Sequence, residues 1–327
     1  MNKLKILRLI TGQHFILPFY HAVTDESPLH LKHLYQVRSV KTFENDLDYL
    51  LQHYTAVSIT DVYNHITGNK PLPKYAFFIS FDDGLSEFKE FAWPILKRKG
   101  VPVSLFVNPS FVDNKQLFFR FKVALLIDFI QKNQQTKILN EANELLGSML
   151  SSVSDLEVFV RGISYHQRNF LDDLAEYFSI DFNHYLKTHK PYLSSNELVE
   201  LHAQGVHIGA HSMDHPLFNQ LNPDEMLDQL NSSVQWVQSN FNQDIKSFSF
   251  PFTDFGMKGD FFETIFNPTK SLVDLTFGTA GLKNERFKNH LQRIPVEDYD
   301  CNMQQILQKQ YVYYLAKAPF FKNTITR

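Results

Sequence analysis

The sequence predicts an α/β fold in which short parallel strands alternate with helices, as an open sheet or a barrel of seven or eight strands. Three observations carry this reading. Seven apolar runs of five to seven residues recur along the 327-residue chain, bounded by turn residues or followed by a helical pattern. Runs that short, apolar on both faces, suit strands buried between helices. Helix-period segments lie between most of the runs, and a helical crossover is what joins one parallel strand to the next. Residues 118–191 break the rhythm, with helical patterns and no strand signal.

The first run is 15–20 (FILPFY), and residues 42–54 follow with Phe43, Leu47, Leu50 and Leu51 at helical spacing. The second run, 76–81 (AFFISF), leads to a helix over 86–99 that stops at Gly100, a residue free to close the last turn. After run 101–107 (VPVSLFV) come the helical stretches 121–132 and 136–150. Ser194, Ser195, Asn196 and Glu197 form a capping pattern for a helix over 194–203 that ends near Gly205. Run 206–210 (VHIGA) is followed by a helix over 223–240 carrying Met226, Leu227, Leu230, Val234 and Val237. Runs 246–252 (KSFSFPF), 274–279 (DLTFGT) and 291–296 (LQRIPV) complete the set. With no internal repeat or low-complexity tract, the expectation is one barrel domain over 1–327. Residues 118–191 are read as a helical insertion packed beside or over it.

Composition narrows the function classes. Apolar residues make up 43% and charged residues 20%, which is ordinary for a globular chain and excludes wholesale disorder. Lys and Arg total 32 against 35 Asp and Glu, so no global positive field exists to attract nucleic acid. The one cysteine, Cys301, excludes both an intramolecular disulfide and a cysteine-based zinc site. Thirty-one Phe residues are compatible with an aromatic core and with sugar-stacking surfaces. Trp93 and Trp236, at apolar spacing in helices, read as core. No signal-peptide pattern and no run approaching ~18 apolar residues is present. The expectation is a cytoplasmic protein, with a peripheral position at the inner membrane face as the alternative. That alternative rests on Leu4, Ile6, Leu7 and Leu9 alternating with Lys3, Lys5 and Arg8.

Two motifs carry the chemistry. Phe81-Asp82-Asp83-Gly84 ends a strand candidate, and the C-terminal ends of parallel strands are where α/β active sites are built. Adjacent side chains on extended backbone point apart, so one carboxylate can hold a cation while the other faces substrate or water. The same residues also suit a helix cap or an Asp-Gly turn. His211-Ser212-Met213-Asp214-His215 follows the strand candidate at 206–210. Two His four apart can aim both rings at one ion, although a chain with 14 His also produces such pairs by chance. Together, an Asp at one strand end and two His at another make a facial site with open positions, suited to a hydrolytic divalent ion.

At this point the sequence resembles the NodB-type polysaccharide deacetylases (carbohydrate esterase family 4). Ser80-Phe81-Asp82-Asp83-Gly84 resembles the family's Thr-Phe-Asp-Asp-Gly motif, and His211-Ser-Met-Asp-His215 resembles its His-Ser/Thr-x-x-His motif. Tyr20-His21-Ala22-Val23 and Ile208-Gly209-Ala210-His211 agree as flanks, and the likeness runs from about residue 16 to 297. The resemblance implies a distorted (β/α) barrel of about seven strands. It also implies metal binding by Asp83, His211 and His215, with Asp82 as general base. Zinc is the first expectation, and cobalt, nickel or iron suit the same donors. The family's Arg-x-Pro-Tyr motif is matched only by Ser249-Phe250-Pro251-Phe252, without its Arg and Tyr. The backbone N–H of Phe252 can still serve as oxyanion donor. Arg293 is read as a guanidinium arriving from another direction, or as a rim salt bridge. No Leu-x-His motif follows the third motif, and His290 stands out of order. His21 and Asp254 are candidates for substrate contact, with a rim histidine and a turn aspartate as the plainer readings.

The functional expectation is a metal-dependent hydrolase that removes an N-acetyl (or O-acetyl) group from a sugar or polysaccharide, on a lipid- or nucleotide-linked precursor of a surface glycan. The alternatives are a carbohydrate-binding or regulatory protein on this scaffold, motivated by the missing Arg and His, and an amino-sugar deformylase.

Overall fold

The computed structural model describes residues 3–133, 136–147, 150–297 and 301–327. The chain forms two compact units. One comprises Met1–Asp25, Arg38–Asp113 and Tyr192–Arg327, and the other Glu26–Val37 with Asn114–Pro191.

The first unit holds every strand among the described residues: β1 (Phe15–Ile16), β2 (Pro18–Tyr20), β3 (Thr55–Ala56), β4 (Ala76–Phe77), β5 (Ile79–Phe81), β6 (Val103–Val107), β7 (His207–Ala210), β8 (Ser247–Ser249), β9 (Leu275–Gly278), β10 (His290–Gln292) and β11 (Ile294–Pro295). Eight of them form one parallel sheet in the order β10-β9-β8-β7-β6-β5-β2-β11. Its two edge strands are consecutive in the chain. β10 pairs with β9, Arg293 turns the chain, and Ile294 N–H donates to Leu17 O across the gap (2.8 Å). One sequence segment therefore closes the sheet into a nearly complete barrel of eight strands.

All seven apolar runs enter the sheet, but three of them divide. Runs 15–20 and 76–81 begin in a small sheet, β1-β4-β3, and pass into the barrel at Leu17 and Phe78. β3 has two residues and no apolar run, so nothing in the sequence announced it. Run 246–252 pairs only as far as Ser249, consistent with Pro251 having no N–H for a ladder. Alternation on β6 shows why the runs are apolar throughout. Val103, Leu105 and Val107 join one buried cluster, while Phe106 joins another with Phe78 and Phe277. Gly209 is required by that packing, since a Cβ there would sit 2.4 Å from the Phe106 ring.

The helices follow their caps. Ser39 accepts from Thr42 N–H at the start of Val40–His53, and Ser194 with Glu197 forms the reciprocal box of Ser195–Ala203. Asn222 and Glu225 do the same for Pro223–Phe241. The helix expected over 86–99 starts as a wide turn, Phe88–Ala92, before Trp93–Lys99. Pro94 offers no N–H there, and Trp93 N–H reaches back to Phe88 O.

The second unit is helical: Leu29–Lys32, Phe119–Lys132, Thr136–Leu146, Val153–Gly162, Asn169–Tyr177 and Phe182–His189, with no strand among its described residues. The helix expected over 136–150 ends at Leu146, and residues 148–149 lie outside the described residues. Leu29–Lys32 packs on Phe119–Lys132, with Lys32 Nζ 2.9 Å from Asp128 and the His30 ring 2.9 Å from Tyr185 Oη. That packing unites segments distant in the chain, so periodicity alone did not assign 26–37 to this unit.

Candidate active site

The barrel gathers its chemistry at one end. Asp82 and Asp83 follow β5, His211 follows β7, His21 follows β2, and Ser249 is the last residue of β8. Parallel strands all point the same way, so these positions share the C-terminal rim. Local backbone conformations there are uncommon. Asp83, Ser212, His215 and Phe252 adopt φ of +72°, +64°, +61° and +57°. Left-handed backbone costs a non-glycine residue about 1 kcal/mol, and such strain concentrates where a site needs a side chain aimed off the regular path. Asn108 braces one of these turns by donating from Nδ2 to the carbonyls of His211 and Ser212.

Asp83 Oδ1 lies 3.2 Å from His215 Nε2 and 3.4 Å from His211 Nε2. His211 Nδ1 is 2.8 Å from Ser249 O. A carbonyl only accepts, so Nδ1 carries the proton and the Nε2 lone pair faces Asp83. All three side chains are buried, and Asp83 Oδ1 and His211 Nε2 have no hydrogen-bond partner. For His215 burial wins over Asp83, which lowers its pKa and favours the neutral ring that ligates. Two imidazole nitrogens and a carboxylate oxygen within 4.8 Å of one another, two of them buried without partners, fit a divalent cation of the zinc type.

Asp82 sits beside this group, its Oδ2 3.9 Å from His211 Nε2. Arg293 grips it in a fork, Nη1 to Oδ1 at 2.8 Å and Nη2 to Oδ2 at 2.7 Å. The guanidinium is fully buried, with its carbon 4.1 Å from the Phe19 ring centroid. It also donates to Ser80 Oγ (3.0 Å), Ser249 Oγ (2.6 Å) and Gly278 O (3.3 Å). Burial again opposes the charge on Asp82, but Arg293, followed by His211, brings its pKa below the ordinary value. The Arg293–Asp82 pair is thus a fully buried salt bridge. Ser249 stands where the third motif has its arginine, and its hydroxyl contacts both members of the pair, reaching Asp82 Oδ2 at 3.2 Å.

His21 pairs through Nδ1 with Glu297, whose other oxygen accepts from the N–H groups of His21 (2.8 Å) and Ala22 (3.0 Å). Burial acts against the imidazolium, yet Glu297, with Asp83 and Asp82 behind it, raises the His21 pKa to about 9. A quarter of the side chain stays exposed. Glu297 and Ser249 are the partners that sequence reasoning missed. The available signal was positional, since Glu297 follows the last strand as Asp82 follows β5. Phe252 is partly exposed, with its ring edge-on to His215 at 4.6 Å.

Asp254 is not brought into this site. It is 2% exposed, and its oxygens take bonds from His290, Gln292, Arg327 and the Thr279 N–H. Both oxygens are engaged inside the protein, and burial keeps them from a sugar hydroxyl. Its carbonyl accepts from Met257 N–H, as a turn residue's does. Asp254, Glu285 and His290 also lie within ligating reach of one another. Arg327, however, donates to both Asp254 and Glu285, so a fixed cation already occupies the place a metal would take. His290, out of order in the sequence, belongs to this network.

A sequence profile described as polysaccharide deacetylase matches residues 69–258, more than half of the chain. No curated protein matches the chain in sequence. Among solved structures, the Streptococcus pyogenes deacetylase PplD in complex with acetate is similar at 16% identity, with TM-score 0.56 over 90% of this chain and 97% of that one. IcaB from Ammonifex degensii is similar at 16% identity, with TM-score 0.55 over 92% and 98%. A de-N-acetylase from Aggregatibacter actinomycetemcomitans is similar at 14% identity, with TM-score 0.55 over 90% and 99%. At these identities the likeness establishes the barrel fold. With the profile match, the chain belongs to the polysaccharide deacetylase family, hydrolases that act on amide bonds of polysaccharides.

Proposed function

We propose that this chain removes an N-acetyl group from an amino sugar in a metal-dependent hydrolysis, with Asp82 as general base. The observation that carries the reading is the Asp82–Arg293 fork set beside the Asp83, His211 and His215 donors at the barrel's C-terminal rim. A divalent cation bound there supplies Lewis acidity, lowering the pKa of a water and polarising the acyl oxygen. Arg293 keeps Asp82 ionised and fixed, so the carboxylate is ready to take a proton. His21, held as imidazolium by Glu297 and partly open to solvent, is placed to protonate the leaving amine. That role answers the missing Leu-x-His motif, as Arg293 answers the missing motif arginine. Both observations favour an active enzyme over a binding protein that has lost turnover. The Phe252 N–H is the proposed oxyanion donor, a role that any side chain at this position permits.

The substrate is proposed to be a glycan or an amino sugar on a lipid- or nucleotide-linked precursor, handled in the cytoplasm or at the inner membrane face. The test is acetate release from N-acetylglucosamine oligomers and from such precursors by zinc- or cobalt-loaded protein, beside Asp82→Asn. Acetate from the wild type alone supports the reading. Formate release from N-formyl sugars with no acetate release would assign the deformylase activity instead. Metal uptake without any acyl release would restore the binding-protein reading.

A further inference from the structure

We infer that the first and last helices of the barrel unit form a docking surface for an anionic lipid bilayer. The first helix, Lys3–Thr11, turns Leu4, Leu7 and Arg8 inward, and Leu4 is buried in the main core. Its opposite face still carries Ile6, Leu9 and Ile10, exposed by 37%, 52% and 65%. A helix that packs on one face needs no apolar residues on the other. The last long helix, Met303–Lys317, packs against it and buries Ile306, Leu307 and Tyr311 in the same core cluster. The two helices pack against each other on one core. On the second of them and just beyond it, Tyr313, Phe320 and Phe321 are exposed. Half of the large apolar side chains exposed among the described residues lie on these two segments. Clustered exposed apolar groups of this kind mark interaction surfaces.

Charge selects the occupant. Residues 1–11 and 301–327 contain seven Lys and Arg and no Asp or Glu, which leaves 25 basic against 35 acidic residues elsewhere. Arg8 and Arg327 are held inward, by the Tyr54 and Tyr75 rings and by Asp254 and Glu285. Lys5, Lys317 and Lys322 remain at the surface, with Lys317 Nζ 5.3 Å from the Tyr313 ring. Aromatic rings with basic tips and apolar side chains between them match the headgroup layer of an anionic membrane. A second copy of the chain fits less well. A two-fold interface would set lysines against lysines, and neither segment holds an acid to pair with them. No described helix is long and apolar enough to cross a membrane, so the contact is peripheral.

The test is co-sedimentation of the full chain with vesicles of phosphatidylcholine alone, or with about a third phosphatidylglycerol. Partition into the anionic vesicles, weakened by salt, is expected. Phe320→Ser with Phe321→Ser should reduce it at least ~10-fold, and so should Lys317→Glu with Lys322→Glu. The lysine pair lies on the surface, so that variant remains a fair test if the aromatic one folds poorly. Absence of partition at low salt, or partition of both variants equal to that of the wild type, overturns the inference. A dimer in the wild type that Phe320→Ser dissociates, without vesicle binding, would give the surface to a second copy and also overturn it. None of these outcomes bears on the catalytic reading, which acyl release tests separately.

Discussion

The Asp83–His211–His215 group and the Asp254–Glu285–His290 group are built from similar donors, each with its ligand atoms within 4.8 Å of one another, yet they differ in chemical standing. In the first, two ligand atoms are buried with no hydrogen bond, and the nearest guanidinium, that of Arg293, is spent on the neighbouring Asp82. In the second, the Arg327 guanidinium lies between the carboxylates and Gln292 adds further donors. The first group is short of positive charge and the second is already supplied. A cluster of acids and histidines is therefore a candidate metal centre only where the protein withholds its own cation. The two arginines do similar electrostatic work on Asp82 and Asp254, but only Arg293 does it beside the open donors.

The sharpest break in the comparison is His215→Ala. Losing one of three ligands should weaken zinc binding beyond the ~10–100-fold typical of outer partners, measured by competition with a chromogenic chelator. Asp82→Asn should keep the metal and lower turnover by at least ~10²-fold, the scale for a positioned base. Loss of metal in that variant would break the division of labour between the two adjacent aspartates. Arg293→Met and Arg327→Met should each lower stability by about 3 kcal/mol in denaturant titrations, because each strands a buried carboxylate. Only Arg293→Met should also depress acetate release in the folded fraction. Equal activity of the two variants would remove Arg293 from the mechanism.

The smallest effect compares the units rather than the clusters. His30, buried in the helical unit beside Tyr185 and Phe121, has its pKa lowered to about 3, by burial first and then by His189. Its folded value lies below the unfolded 6.5, so folding favours the neutral ring, and that stability is lost as pH falls below 6.5. Between pH 6 and pH 5 the loss is about 1 kcal/mol, and His30→Gln should flatten that part of the stability curve.

Much of this was readable in the chain. Apolar runs located every barrel strand because a parallel strand is buried on both faces, and Gly100 and Ser194 marked helix ends by their own chemistry. The division of runs at Leu17, Phe78 and Arg293 was not readable, since a change of pairing partner leaves the apolar pattern intact. At the site, Asp82, Asp83, His211 and His215 announced themselves through adjacency and spacing. Arg293 was legible as a guanidinium arriving from another direction, while its fork on Asp82 came from barrel closure. Glu297 was marked only by its position after the last strand, because its partner lies 276 residues away. Asp254 misled for the opposite reason. Its place next to a motif suggested the site, while its side chain turns to His290 and Arg327.

The most direct test of the central claim is elemental analysis of purified wild-type chain beside His211→Ala and His290→Ala, after loosely bound ions are removed. The account predicts about one equivalent of divalent metal in the wild type, lost in His211→Ala and retained in His290→Ala. Metal retained in folded His211→Ala, or lost with His290→Ala, would place the centre in the other cluster. A folded wild type that takes up no zinc or cobalt would contradict the account outright.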